Sequence, residues 1–162
     1  MRSMLFVPGD RPERFAKALA SGADAVICDL EDAVTPVTRP QARLNVADLL
    51  RATGRSIPLW VRINPVQTDD ALPDLAAVVA ARPDSIVLPK ARHGADLHRL
   101  DHWLEALEAQ HGHSCGSIKV IALITETAQA VLGGSTFTTP PARPRRYTWG
   151  AEDLAAHAGG CA

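Results

Sequence analysis

Six short apolar runs in this 162-residue chain each end in polar residues of the kinds that do chemistry. The run at 4–7 leads into Pro8-Gly9-Asp10-Arg11, and the run at 25–30 contains Asp29 and leads into Glu31-Asp32. The run at 59–63 contains Arg62 and precedes Asn64, and the run at 85–88 precedes Pro89-Lys90. The run at 119–124 precedes Thr125-Glu126, and the run at 146–149 precedes Gly150-Ala151-Glu152-Asp153. Carboxylates thus follow the second, fifth and sixth runs, and cations the first, third and fourth. Two or more carboxylates from different strands can hold a hard divalent cation such as Mg²⁺, which takes oxygen ligands and keeps positions open for substrate. A neighbouring arginine can grip a carboxylate or thioester oxygen at two points. Metal and arginine together can stabilise an enolate, the intermediate of aldol and Claisen carbon–carbon cleavage.

Such residues meet only if the runs are strands that end on one rim. The runs are mostly continuous apolar segments, as in a parallel sheet covered on both faces. Helical patterns separate them. Asp10 with Glu13, and Thr38 with Gln41, read as capping boxes, and Gly54 reads as a stop for the second helix. Pro73 opens a short helix reaching about Ala81. Leu97, Leu100, Leu104 and Leu107 form a stripe that predicts a helix over 95–110. A short helix after Glu126 ends at Gly133-Gly134, and the proline-containing stretch 133–146 is expected to be a mobile loop. Run starts lie about 21 to 34 residues apart, the rhythm of repeated strand–helix units, so the class is α/β. An open doubly wound sheet and a (β/α)₈ barrel both fit. No GxGxxG loop follows the first run, which leaves a dinucleotide fold without positive support.

Composition excludes several function classes. Seventeen basic residues against eighteen acidic ones leave no basic footprint for nucleic acid or a membrane surface. Arg143, Arg145 and Arg146 form one local patch, read as a solvated loop. No apolar run nears the ~20 residues of a membrane span, and the N-terminus lacks a signal-peptide pattern. Cys28, Cys115 and Cys161 are odd in number and widely spaced, which suits reduced thiols in the cytoplasm and neither a disulfide framework nor a zinc site.

The polar residues also carry a resemblance. Residues 2–14 (RSMLFVPGDRPER), Asp29-Leu30-Glu31-Asp32-Ala33-Val34, Val61-Arg62-Ile63-Asn64, Leu88-Pro89-Lys90, Thr125-Glu126-Thr127-Ala128 and Gly150-Ala151-Glu152-Asp153-Leu154-Ala155 occur in that order. Together they resemble the citrate lyase β-subunit (HpcH/HpaI aldolase) family. The resemblance implies a (β/α)₈ TIM-type barrel assembled as a trimer or hexamer. It implies Mg²⁺-dependent cleavage or formation of a carbon–carbon bond in 3-hydroxy-acyl thioesters such as citryl-, malyl- or citramalyl-CoA, or the thioester of an acyl-carrier protein. Glu126 and Asp153 match the magnesium ligands, and Glu126 also touches substrate. Arg62 matches the substrate-contacting arginine. Glu31 and Asp32 match carboxylates that position the metal's waters, so catalytic roles are expected of Arg62, Glu31 and Asp32. Arg11, Arg14 and Lys90 are expected to contact the acyl-CoA.

Two departures stand out. The family motif usually places a second Asp four residues after the metal-binding one, and here that position is His157. Only about six of eight β/α units are present, whereas a complete barrel takes about 250 residues. Residues 1–162 therefore read as one partial barrel domain, without the C-terminal segment that supplies an acidic catalytic residue in the family. A barrel lacking two strands exposes two sheet edges, so the isolated chain is expected to be poorly soluble, molten or completed by association. Two competing readings remain: a non-catalytic relic or acyl-CoA-binding module, and a metal-dependent aldolase acting on free keto-hydroxy acids.

Overall fold

The computed structural model describes residues 2–52, 57–143 and 145–159, apart from the side chains of Arg145 and His157. Six strands form one parallel sheet in sequence order: β1 (Met4–Pro8), β2 (Ala25–Asp29), β3 (Leu59–Arg62), β4 (Ser85–Leu88), β5 (Lys119–Leu123) and β6 (Arg145–Thr148). The predicted runs coincide with these strands to within a residue at each end. Nearest-neighbour parallel order is that of a β/α barrel; the order of a doubly wound sheet would reverse midway. Among the described residues β1 and β6 do not pair, so the sheet is open.

Period-two alternation divides the side chains between two cores. On one face Val26, Cys28, Val61, Ile86, Leu88, Val120 and Ala122 pack beneath the helices. On the other, Ala25, Ile27, Trp60, Val87 and Ile121 form a smaller cluster where a barrel interior would lie. The edges are less covered. Met4 and Phe6 on β1, and Tyr147 and Trp149 at β6, are exposed.

The helices are α1 (Phe15–Leu19), α2 (Arg39–Arg51), α3 (Ala71–Val78), α4 (Gly94–Gln110), α5 (Ala128–Leu132) and α6 (Ala151–His157). Helix α4 forms where the leucine stripe predicts it. Leu97, Leu100 and Leu104 are buried, and Leu107 packs against the same core. Neither expected capping box forms. The first helix begins as a 3₁₀ turn at Pro12–Arg14 with no side-chain cap. Asp10 instead accepts a hydrogen bond from the Thr38 hydroxyl, 3.1 Å away. That bond and one to Thr35 O divert Thr38 from capping α2, while Gln41 bonds Asn45. Long-range partners here outcompete the local cap. The cap that does form, Thr127 Oγ1 accepting from Ala130 N at 3.1 Å, starts α5. Gly54 lies outside the described residues; α2 ends at Arg51.

The reading of Arg143 as part of a solvated loop is overturned. Arg143 is only 5% exposed and forms a two-point pair with the fully buried Glu108, both nitrogens at 2.9 Å. It also bonds Asp101 and Ile118 O. The stretch expected to be a mobile loop holds a 3₁₀ helix at Gly134–Thr138, buries Phe137, and is tied to the body at Arg143.

One feature of the sheet bears directly on function. Parallel pairing continues past the strand ends as single bonds from each loop to the next strand. Gly9 N bonds Asp29 O, Leu30 N bonds Arg62 O and Ile63 N bonds Val87 O. Ala91 N bonds Leu123 O, and Ile124 N bonds Thr148 O. The polar residues after the strands are thereby held in phase along one rim.

Candidate metal and substrate site

The rim is organised around Arg62, at the end of β3. Its Nε and Nη2 each donate to one oxygen of Asp29 on β2, both at 2.7 Å. Asp29 is 1% exposed and also accepts from Glu31 N and Ala33 N at 3.0 Å, which fixes the turn after β2. The chain can pass this close because residue 9 is glycine: a Cβ there would stand 2.9 Å from Asp29 O. The Arg62 guanidinium lies over the Phe6 ring, 4.8 Å from its centroid. Its remaining nitrogen, Nη1, is 3.3 Å from Glu31 Oε2. Arg62 is therefore a clamped cation, and its charged end borders the rim.

Glu31 is buried, and its Oε2 makes no hydrogen bond. Its Oε1 accepts from Lys90 Nζ at 2.7 Å, and the same ammonium reaches Asp32 Oδ1 at 3.0 Å and Oδ2 at 3.2 Å. Burial pushes the Glu31 carboxyl up to about 7, against the pull of Lys90 and Arg62. Burial works against the Lys90 charge, but Glu31 and Asp32 outweigh it and hold the ammonium above its ordinary value. Asp32 is half exposed and opens toward solvent.

Glu126, just past β5, is also buried. Its Oε2 accepts from Lys90 N at 2.6 Å. The Asp153 carboxyl, in the first turn of α6, is close enough to act on the Glu126 carboxyl. Burial raises the Glu126 carboxyl to about 7, and Asp153 pushes the same way while the Lys90 N–H opposes. Gly150 makes the approach possible, because a Cβ there would fall 2.6 Å from Glu126 Cγ.

Two neighbouring carboxylates repel unless a proton or a cation lies between them. Their all-oxygen donor set suits Mg²⁺, which is typically bound through one or two carboxylates and retains waters. Among the described residues no group of three or more His, Cys, Asp and Glu side chains could hold a metal. The described oxygen donors, Glu126 and Asp153, fit a two-carboxylate site.

The structure brings Arg62, Glu31, Asp32, Lys90, Glu126 and Asp153 onto one rim. It does not bring Arg11 there: its side chain is largely exposed and sits 3.9 Å from Asp10. Arg14 lines a groove beside β1. The Lys90 ammonium is engaged by Glu31 and Asp32, so contacting an acyl-CoA would require it to leave them. Sequence reasoning gave no separate role to Asp29, Asn64, Asp74 or Gly150. Asp74 is fully buried and accepts from Asn64 N and Nδ2, each at 2.8 Å, and Asn64 Nδ2 also donates to Leu30 O. This locks the turn carrying Glu31 against β3. The signal for Asp29 was present, since its motif opens with an acid inside an apolar run; nothing local marked Asp74.

The model of the HpcH/HpaI aldolase/citrate lyase family matches residues 2–160. The chain belongs to this family. A citrate lyase subunit β-like protein of Mycobacterium tuberculosis is 37% identical over 96% of this chain and 50% of its own length. An L-malyl-CoA/β-methylmalyl-CoA lyase of Cereibacter sphaeroides is 34% identical over 98% of this chain and 50% of its own. The structure of the M. tuberculosis citrate lyase β subunit complexed with oxaloacetate and magnesium superposes with a TM-score of 0.75 at 38% identity, covering 98% of this chain and 62% of that one. The protein CitE of the same organism, in complex with magnesium, acetoacetate and coenzyme A, also matches with a TM-score of 0.75 at 37% identity, over 98% of this chain and 52% of that one. The chain thus spans about half the length of the family relatives it matches in sequence. No described helix is long and apolar enough to cross a membrane.

Proposed function

We propose that this chain carries the magnesium and substrate half-site of a carbon–carbon lyase acting on a 3-hydroxy-acyl-CoA thioester. The observation that carries this reading is the Glu126–Asp153 carboxylate pair, facing the Arg62, Lys90 and Glu31 cluster on one rim. Support comes from relatives named as citrate and malyl-CoA lyases and from the CitE complex with magnesium and coenzyme A. Mg²⁺ held by Glu126 and Asp153 would supply positive charge for a developing enolate oxygen. Arg62, immobilised by Asp29, would orient a keto-acid carboxylate or thioester oxygen. Glu31, buried with a carboxyl near neutrality and an Oε2 that makes no hydrogen bond though Arg62 Nη1 lies 3.3 Å away, would hold or release a proton.

The test is calorimetric titration of Mg²⁺ into the chain, with and without acetyl-CoA plus glyoxylate or pyruvate, followed by a cleavage assay on malyl-CoA. Glu126→Ala should abolish metal heat and any Mg²⁺-dependent turnover. Unchanged turnover in that variant would refute the metal assignment.

A second reading, an acyl-CoA-binding module without turnover, is favoured by the open sheet, whose β1 and β6 faces are exposed. Metal and CoA binding without cleavage would select it. Cleavage of free hydroxy-keto acids in preference to thioesters would select the aldolase branch instead. Assembly as a homo-oligomer belongs to the same proposal and is read by light scattering.

A further inference from the structure

We propose that Lys90 is a positioning residue for Glu126: its side-chain bonds to Glu31 and Asp32 hold its own backbone in a left-handed conformation that aims its N–H at the Glu126 carboxylate. This rests on the reading of Glu126 as a metal ligand.

The observations are geometric. Lys90 has φ of 50°, in the region where a Cβ collides with the following carbonyl. Such strain in a non-glycine residue persists only where its surroundings over-determine it. Here the surroundings are visible on three sides. Strand β4 ends at Leu88, and Ala91 N has already rejoined the sheet at Leu123 O, so Pro89 and Lys90 form a two-residue excursion between fixed points. Pro89 has no N–H, which leaves the Lys90 N–H as the donor of that excursion. It points at Glu126 Oε2, 2.6 Å away. At the other end of the residue, three ammonium contacts of 2.7 to 3.2 Å fasten the side chain to the turn after β2. One residue therefore ties the Glu31-Asp32 turn to the Glu126 carboxylate, through its side chain on one side and its main chain on the other. A lysine at such a site is otherwise a poor choice, since Gly or Asn adopts this backbone with less strain. Its use here is explained if the ammonium bonds hold the backbone in place.

The experiment compares Lys90→Ala with Lys90→Gly. Both remove the ammonium, but only glycine adopts positive φ without strain. Two readouts are taken: hydrogen exchange of the residue-90 amide by NMR, and Mg²⁺ affinity by calorimetry. Thermal melts confirm that each variant is folded. In the Ala variant the amide should exchange roughly five- to thirty-fold faster, and Mg²⁺ should bind weaker by the same order, as the left-handed preference of glycine over alanine dictates. In the Gly variant both should stay within about threefold of wild type. If Lys90→Ala does not fold, Lys90→Met against Lys90→Asn makes the same comparison. Equal loss in the strained and unstrained variants, or no loss in either, overturns the proposal. Should wild type give no Mg²⁺ heat while the exchange pattern holds, the metal reading fails and the latch stands. Should Mg²⁺ bind while the exchange pattern is absent, the latch alone falls.

Discussion

Glu108 and Glu126 are both buried carboxylates, and their surroundings differ in kind. Glu108, near the end of α4, has every oxygen occupied. Arg143 donates to both, Ile118 N to Oε1 and Gly116 N to Oε2 at 2.8 Å. Burial pushes its carboxyl up, but Arg143 and the two N–H groups outweigh it and leave it below its ordinary value. Glu126 has one backbone donor and a second carboxylate beside it, and its carboxyl is raised to about 7. The first arrangement fixes a charge permanently and serves the fold. The second leaves a charge to be completed by a proton or a cation, as the proposed metal site requires. Burial alone did not distinguish them; the identity of the partners did.

The sharpest way to break the comparison is Glu108→Ala. It removes the two-point partner of buried Arg143 and leaves the guanidinium to Asp101 and Ile118 O, so unfolding free energy measured by urea titration should fall by up to about 3 kcal/mol, the lower end of the cost of breaking a buried pair. Mg²⁺ affinity of the fraction still folded should not change. A loss of affinity matching the loss of stability would mean that the two carboxylates belong to one network. A smaller effect with the opposite signature is expected of Gly150→Ala. The new Cβ displaces Glu126, whose Cγ would lie 2.6 Å away. Mg²⁺ should bind about ten- to hundred-fold weaker, in the range typical of disturbing the groups that orient a metal ligand. Unfolding free energy should change by less than in Glu108→Ala. Unaltered Mg²⁺ affinity would show that Glu126 does not need its present position.

Legibility in the sequence followed the same division. The central strands could be read because a parallel sheet covered on both faces demands continuous apolar runs, which β6 (RRYT) lacks, and α4 because its leucines keep helical period. The rim could be read because strand ends in a β/α fold share one side; the choice of Arg62, Glu31, Asp32, Lys90, Glu126 and Asp153 from it came with the family resemblance, which also picked Arg11, a side chain that stays apart beside Asp10. Contacts made across long sequence separations could not be read. Thr38 looked like a cap and is instead bound to Asp10, 28 residues away. Arg143 looked like a solvated charge and is bound to Glu108, 35 residues away. The φ of Lys90 was equally hidden, because no residue type signals a left-handed lysine and the groups that fasten its side chain, Glu31 and Asp32, lie almost sixty residues away.

The smallest predicted effect concerns pH. Glu31 and Glu126 have folded values near 7 against an ordinary 4.5. Between those limits the folded chain holds protons that the unfolded chain has released, so the stabilisation they confer is complete below about 4.5 and is lost as pH rises through 7. Carboxylates like Glu108, held below the ordinary value, behave oppositely and lose their contribution only in acid. Melting temperature without metal should therefore decline from pH 5.5 to 8, and Glu31→Gln with Glu126→Gln should flatten that decline. Metal binding must reverse the trend, because Glu126 has to be ionised to bind a cation. Mg²⁺ affinity should rise over the same window, and saturating Mg²⁺ at pH 8 should recover the lost stability. A melting temperature flat from pH 5.5 to 8 in wild type would place the two carboxyls in the same class as Glu108 and erase the distinction between the two regions.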